Sequence, residues 1–516
     1  MIPLVGVPRG LRAILLPISF LAIILVLFAL YRSSEQNADF LKNLTTINGG
    51  KSEHADHRPT NTHAPPKYKP TPTFAVPVVT DPFPLLAKSS ASPPPIPEYN
   101  VARAGLHRDY GLSYLPPLFI GFTRQWPMLL QCVVGYITAG WPPESIFVVE
   151  NTGVQNSNID GKLSLQNPFY LNHTTMRRLG VNVIQTPVLM TFSQMQNFFL
   201  ATATARSWPY YFYSHQDVLV FSFEDGADTM KRPGDRDWFF YDEQDEAETM
   251  RPPAAGQPGY RTIYENCLRE LNRTVESEER WAFRWFQYDH LTLVNKAALD
   301  AVGGWDSLMP YYGSDCDMNA RLEMDGWSMR HRRVGIINDV SSVMEDLAAL
   351  YRVPSVTPQF VDPNPIPEEK LEQIEQTKGS EQKETAKEPE QDADKPTQKR
   401  SEKTKTGGKS SISISKAIDY FRALVKVGDD MGAYKYRSDN FARNSWQSSQ
   451  HGGMGEPYYY NADGFATSFW ILAEAGREVF RQKWGHRDCD LVAETALKLE
   501  DQWLVEKDWD DEPKQS

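Results

Sequence analysis

Cysteine is scarce in this chain: there are four in 516 residues, Cys132, Cys267, Cys316 and Cys489. So few and so scattered, they exclude a disulfide-framework scaffold and a cysteine-based zinc cluster. Basic residues are outnumbered, 54 Lys and Arg against 66 Asp and Glu, for a formal net charge of −12. A general nucleic-acid binder carries the opposite excess, so no nucleic-acid partner is expected. A local basic pocket for a phosphorylated ligand is compatible with that balance. No internal repeat is seen, and no glycine-rich, lysine-containing phosphate loop follows the first buried strand. What is present is ordinary in amount, 41% apolar and 23% charged residues, which supplies a sizeable core. The length suggests roughly three domains.

The distribution is uneven. Over 13–31 the sequence AILLPISFLAIILVLFALY carries no charge and is about long enough to cross the hydrocarbon core as a helix. A cleaved signal peptide is the rival reading. The run outlasts the usual apolar core of about 7–15 residues, however, and ends in Tyr-Arg-Ser-Ser-Glu without a small-x-small cleavage site. The expectation is a cytoplasmic tail over 1–12 and a transmembrane anchor over 13–31. Arg9 and Arg12 on the short side place that side in the cytoplasm and the body in the lumen. Sequons at Asn43, Asn172 and Asn272 are compatible with a luminal body. Residues 32–105 are polar and proline-rich and read as an extended, disordered stem. Residues 356–410 are dominated by Glu, Lys, Gln, Thr and Ser and read as a disordered, charged insert. Two ordered blocks remain, 106–355 and a smaller, mostly helical cap over 411–505, before a disordered tail at 506–516.

The larger block alternates strand-like and helix-like patterns. LPPLFIGFTR (115–124) is a short apolar run and predicts a buried strand. MLLQCVVGYITAGW (128–141) has helical spacing and ends at Gly140 before two prolines. SIFVVENTG (145–153) predicts a second buried strand, which makes a βαβ unit and hence a parallel sheet. VNVIQTP (181–187) predicts a third strand, 193–207 a helix, and YYFYSHQDVLVFS (210–222) one long strand interrupted by polar residues. The fold class expected is a doubly wound α/β sheet flanked by helices, in which ligands sit at the carboxyl ends of the strands.

Acidic residues fall where that rule places a site: Glu150 ends the second strand, Asp217 interrupts the fourth, and Asp315 and Asp317 lie in GGWDSLMPYYGSDCDMNARL (303–322). These segments carry a resemblance. IGFTRQWPMLLQCVVGYITAGWPPESIFVVENTG resembles the opening of a family 2 glycosyltransferase, with the GT-A nucleotide-diphospho-sugar transferase fold. Asn197 in QMQNFFLATA resembles the Asn of the helix leading to that family's metal-binding strand. GGWD…YGSDCDMNARL is similar to the family's GG-F-D…G-E-D-x-D-L-x-x-R segment. The likeness covers about 106–340, in ordered pieces.

The resemblance implies a membrane-anchored, luminal transferase of the Golgi or ER. It would move a sugar, such as a hexose, from a UDP- or GDP-sugar to a glycan acceptor on protein, lipid or cell wall. It implies inversion, and Mn²⁺ or Mg²⁺ to neutralise the leaving diphosphate. Asp217 would hold that ion as the last residue of an Asp-x-Asp element, although Ser-His-Gln-Asp keeps a single carboxylate; His331 or His486 would be a further ligand. Asp315 would be the general base, supported by Asp317. Thr123, Arg124, Glu150, Asn197 and Arg321 would bind the donor, and Trp305 and Asp306 the acceptor sugar. Each also has a plain structural reading: Ser314 and Asp317 fit a capping box, Asp317 pairs with Arg321 at i,i+4, and Trp305 fits a core. Two rival functions remain. One is a catalytically silent GT-A scaffold that binds sugar nucleotide or a partner enzyme. The other is a nucleotidyltransferase, which the missing phosphate loop disfavours.

Overall fold

The computed structural model describes residues 65–68, 70, 78–88, 91–226, 253–361, 410–437, 450–456 and 461–509. The expected tail and anchor over 1–31 therefore lie outside the described residues, with Asn43, most of the stem to 77, residues 362–409 of the insert and 510–516. Among the described residues no helix is long and apolar enough to cross a membrane. The chain divides into two units, Met1–Phe74 and Ala75–Ser516, and the fold below is that of the second.

Strand β1 (Leu118–Phe122) leads into helix α1 (Trp126–Thr138), then β2 (Ile146–Glu150), the short α2 (His173–Arg178) and β3 (Asn182–Gln185). Helix α3 (Phe192–Ala205) follows, then β4 (Tyr210–Ser214) and β5 (Val218–Phe221). After α4 (Ile263–Glu276) come β6 (Trp281–Trp285), β7 (Leu291–Asn295), α5 (Lys296–Ala301), α6 (Ser314–Met324), β8 (Ser328–His331) and β9 (Ile336–Asp339). Two long helices, α7 (Ser410–Tyr436) and α8 (Ala462–Trp484), complete the body. The main sheet has seven strands in the order β3-β2-β1-β4-β7-β6-β8, and β5 pairs with β9 in a separate two-stranded sheet. The β1, β2, β3 and β4 pairings are parallel, β7 runs antiparallel to both β4 and β6, and β8 is parallel to β6. The fold is thus mixed α/β with a mostly parallel central sheet between helices.

The period of two along each strand sorts side chains to opposite faces. Leu118, Ile120 and Phe122 join one core cluster with Ile146 and Val148, whereas Phe119 joins another with Phe147 and Val149. Helix α1 fills the first side. Every residue in it is buried, the pattern of a helix covered all round. It lies between the main sheet and the β5/β9 sheet, and so needs no polar face. Helix α3 covers the second side, where Phe199 stacks on Phe119 at 5.0 Å. A capping box between Thr191 and Gln194 starts it.

Three expectations shift. The stretch expected as one long strand over 210–222 breaks at His215-Gln216-Asp217, because β4 and β5 belong to different sheets. The expected stem does not run disordered to 105. Phe83 and Leu86 are fully buried in the main core, and Asn100 bonds Glu224 at 2.8 Å. A few apolar side chains suffice when they dock on a core built by the rest of the chain. No capping box starts α6 either: its N-cap is Gly313 in the left-handed region, φ 87°, and the Ser314 hydroxyl donates to the Tyr311 carbonyl.

Helix α8 is fastened to α6 by a fully buried carboxylate and a covalent bond. Asp317 accepts from Arg321 Nε at 2.8 Å and Trp484 Nε1 at 3.1 Å, and its other partner is Lys483 Nζ at 2.7 Å. Beside it Cys316 and Cys489 form a disulfide that closes a loop of 173 residues; Cys132 and Cys267 are free and buried. A crosslink over so long a loop stabilises by about 2–4 kcal/mol. Reductant should therefore lower the thermal midpoint of the purified chain. Cys316→Ser should show the lowered midpoint without reductant and no further response to it.

Candidate functional site

The strand order reverses between β1 and β4, the place where open α/β sheets bind ligands. A cleft of about 460 Å³ opens there, lined by Thr123 and Arg124 after β1, and by Ser214, His215, Gln216 and Asp217 after β4. Gly121 in β1 also lines it, and a Cβ there would stand 2.5 Å from Met195 Sδ, so the Met195 side chain would have to shift. The opposite wall comes from the β6–β7 turn (Tyr288, Asp289, His290), from the start of α6 (Asp315) and from Phe465 and Phe469 of α8. The turn holds two non-glycine residues at positive φ, Gln287 at 124° and Tyr288 at 50°. Such strain is retained where surrounding structure fixes it and clusters at functional sites.

Two ladders converge on the break between β4 and β5. The β4–β7 register pairs Ser214 with Leu291, so His215 and His290 become neighbours, and the His215 amide donates to the His290 carbonyl at 3.1 Å. The β5–β9 register pairs Val218 with Asp339, which sets Asp339 beside Asp217. Lys435, near the end of α7, donates to Asp217 Oδ2 at 2.8 Å and Asp339 Oδ1 at 2.6 Å. It is 2% exposed. Burial alone would lower its pKa, but the two carboxylates raise it above the ordinary lysine value.

The other titratable groups are displaced as well. Burial works to lower the pKa of His215, yet Asp289, with Asp217 and Asp339 behind it, lifts it to about 9. Burial works to raise the pKa of Asp289, and His215 brings it down to about 2. Asp339 is held well below the carboxylate range against burial, by His290 and Lys435. Asp315 goes the other way: burial raises it, with only partial relief from the Cys316 amide. The Tyr288 hydroxyl lies 3.5 Å from its Oδ2. Aromatic faces complete the cleft, with the Arg124 guanidinium 4.0 Å over the Phe465 ring and Tyr311 packed on Phe469 at 4.7 Å.

Of the residues singled out in the sequence, Thr123, Arg124, Asp217 and Asp315 meet in this cleft. The others do not line it. Asp317 and Arg321 are buried partners beneath α6, and Arg321 also donates to the carbonyls of Val302 and Gly304 at 2.6 and 2.8 Å. Asn197 clamps the backbone of Trp305, donating to its carbonyl at 2.7 Å and accepting its amide at 2.9 Å, while the Trp305 ring packs in the core. Asp306 pairs with Lys483 at 2.8 Å. The GGWD and SDCDMNARL segments are therefore tied to each other and to α3. His331 packs on Trp285 at the sheet's edge, and His486 bonds Asp508 beyond α8.

Glu150 is enclosed too, accepting from Asn158 at 2.7 Å and Gln185 at 3.1 Å and bonded to His173 at 2.9 Å. Sequence reasoning did not single out Asp289, His290, Asp339 or Lys435. The adjacent Asp-His pair was the available signal for the first two; nothing local marks the other two.

The Asp217 position does not fit the divalent cation that the resemblance implies. Its carboxylate already faces an ammonium shared with Asp339, and Gln216 turns away to donate to the Arg124 carbonyl at 2.8 Å. No family model matches the chain and no curated protein matches it. Among solved structures, a cytidylyltransferase from Leptospira borgpetersenii aligns over 42% of this chain and 75% of that one, at 9% identity and a TM-score of 0.22. Similarity so slight establishes neither a shared fold nor a shared activity.

Glu150 supplies a pH test of this end of the sheet. Burial works to raise its pKa and the bonds from His173 and Asn158 outweigh it, so the folded value lies below the ordinary 4.5. A depressed carboxylate contributes stability that is complete above its unfolded pKa and lost as pH falls through its folded one. Glu150→Gln should therefore flatten the acid limb of a stability-against-pH curve while lowering the neutral plateau; an acid limb unchanged in slope would contradict the assignment.

Proposed function

We propose that the cleft binds a nucleotide-linked sugar and transfers the sugar to a glycan acceptor, with Asp315 as general base. The observation that carries this reading is the Asp315 carboxylate opening on a cleft at the switch point of the sheet, faced across it by cationic and aromatic side chains. A base must accept a proton from an acceptor hydroxyl, and a raised pKa strengthens its affinity for that proton. Arg124 supplies positive charge for a diphosphate, and Phe465, Phe469 and Tyr311 offer faces for a base or a sugar ring. UDP- and GDP-sugars are the donor class proposed, a hexose the group moved and inversion the outcome. No step is drawn through a cation at Asp217. A single-pass type II placement in the Golgi or ER membrane belongs to the same reading, and the Cys316–Cys489 bond supports it, because disulfides persist in oxidising compartments.

A second reading has an observation of its own. Lys435 neutralises both Asp217 and Asp339, which suits a catalytically silent scaffold that binds sugar nucleotide or a partner enzyme. Calorimetric titration with a panel of UDP- and GDP-sugars, followed by a transfer assay with the donors that bind, separates the two. The enzyme reading predicts that Asp315→Asn keeps donor affinity within about threefold and loses transfer by about 10²-fold or more. Wild-type transfer should also fall as pH drops through the raised Asp315 value, because the protonated acid cannot act as base. Binding without transfer for every donor would favour the scaffold, and an active Asp315→Asn would remove the assignment.

A further inference from the structure

Three side chains of metal-ligating type meet in the cleft. His215, Asp289 and His290 each present one ligand atom, and these atoms lie within 4.8 Å of one another. His215 Nε2 stands 3.4 Å from Asp289 Oδ2. That is about the separation of two ligand atoms each about 2.1 Å from one tetrahedral ion. The two imidazoles stand perpendicular with centroids 5.4 Å apart, the consequence of the β4–β7 register that makes them neighbours. His290 Nδ1 is buried and makes no hydrogen bond, and His290 as a whole is 7% exposed. A buried polar atom left in that state is costly; a cation would use the His290 Nδ1 lone pair, and would displace the proton that His215 Nε2 shares with Asp289.

The opposite ring nitrogens are aimed at carboxylates. His290 Nε2 faces Asp339 Oδ2 at 3.5 Å and His215 Nδ1 faces Asp217 Oδ1 at 3.9 Å. The His290 contact is of the kind that holds metal-ligating histidines, with the far ring nitrogen donating to a carboxylate that fixes tautomer and orientation; the His215 contact is longer than a hydrogen bond. Lys435 and the Tyr436 hydroxyl in turn hold Asp339, the latter at 2.5 Å. The ion pair that closes Asp217 to a cation thus leaves a supported ligand set beside it.

We propose that His215, Asp289 and His290 bind a borderline divalent transition ion of the Zn²⁺ or Co²⁺ kind. Two imidazoles and one carboxylate suit such ions, whereas Mg²⁺ and Ca²⁺ take oxygen ligands. Three protein ligands leave a coordination position for water or a ligand oxygen, and all three residues line the cleft. The site stands whether or not the cleft transfers sugar.

The test is a Co²⁺ titration of the full chain, purified without a histidine tag in neutral detergent, followed by visible absorption. The expected result is a ligand-field band that saturates at one Co²⁺ per chain, is bleached by stoichiometric Zn²⁺ and is unmoved by millimolar Mg²⁺. Asp289→Asn and His290→Gln should each weaken Co²⁺ binding by about tenfold or more. Should either aggregate, His215→Gln reads the same site at a side chain that is 30% exposed. Asp315→Asn, in the cleft but outside the ligand set, should keep the band. Absence of the band would overturn the proposal, as would its persistence in His215→Gln. So would its loss in Asp315→Asn, which would put the ion among the cleft carboxylates. Sugar transfer is not read here, so an inactive cleft and an absent metal site give different results.

Discussion

One ammonium shared by two carboxylates holds the centre of this molecule together. Asp217 ends the break between β4 and β5, Asp339 ends β9, and Lys435 of α7, 96 residues beyond Asp339 along the chain, reaches both. Carboxylates removed from water are costly unless they are paired and hydrogen-bonded. The arrangement therefore couples the course of the main sheet, the position of the two-stranded sheet and the docking of α7. It also sets the chemistry of the cleft, because a cation already stands where the resemblance would place a metal ion. The next carboxylate along, Asp289, is left to the two histidines.

A comparable construction holds α8. Asp317 is surrounded by Arg321, Lys483 and Trp484, with the Cys316–Cys489 bond at its side. Both long helices are thus fixed by buried acid–base contacts, and each contributes side chains to the cleft, Lys435 from α7 and Phe465 and Phe469 from α8. The helices after the charged insert are parts of the site as well as cover for the sheet.

The elements legible in the sequence were those whose signal is local. Apolar runs bounded by prolines and glycines marked β1, α1 and β2 to within a few residues, because burial on both faces of a parallel strand or all round a helix leaves a continuous apolar stretch; the half-buried β3 and α3 were placed as closely by a short strand-like run and by helical spacing. The polar trio His215-Gln216-Asp217 was read as an interruption of one strand. It is a change of sheet, which only the partners β7 and β9 reveal. Thr123, Arg124, Asp217 and Asp315 were legible because strand ends and a helix start carry ligands in this architecture. Asp289, His290, Asp339 and Lys435 were not, since register across sheets brings them in and no spacing along the chain encodes it. The GGWD and SDCDMNARL segments show the converse. Asp317, Arg321 and Trp305 stood out by pattern, and their visible work is to bind one turn, one helix and the core to each other.

Lys435 and Asp217 form a buried pair in the lining of the cleft, on which the placing of α7 against the two sheets depends. A double-mutant cycle with Asp217→Asn, Lys435→Met and the combination, followed by denaturant unfolding, measures their coupling directly. The account predicts that the single changes together cost more than the double one, with a coupling energy of about 1.5–3 kcal/mol. Additive effects, with coupling near zero, would contradict it.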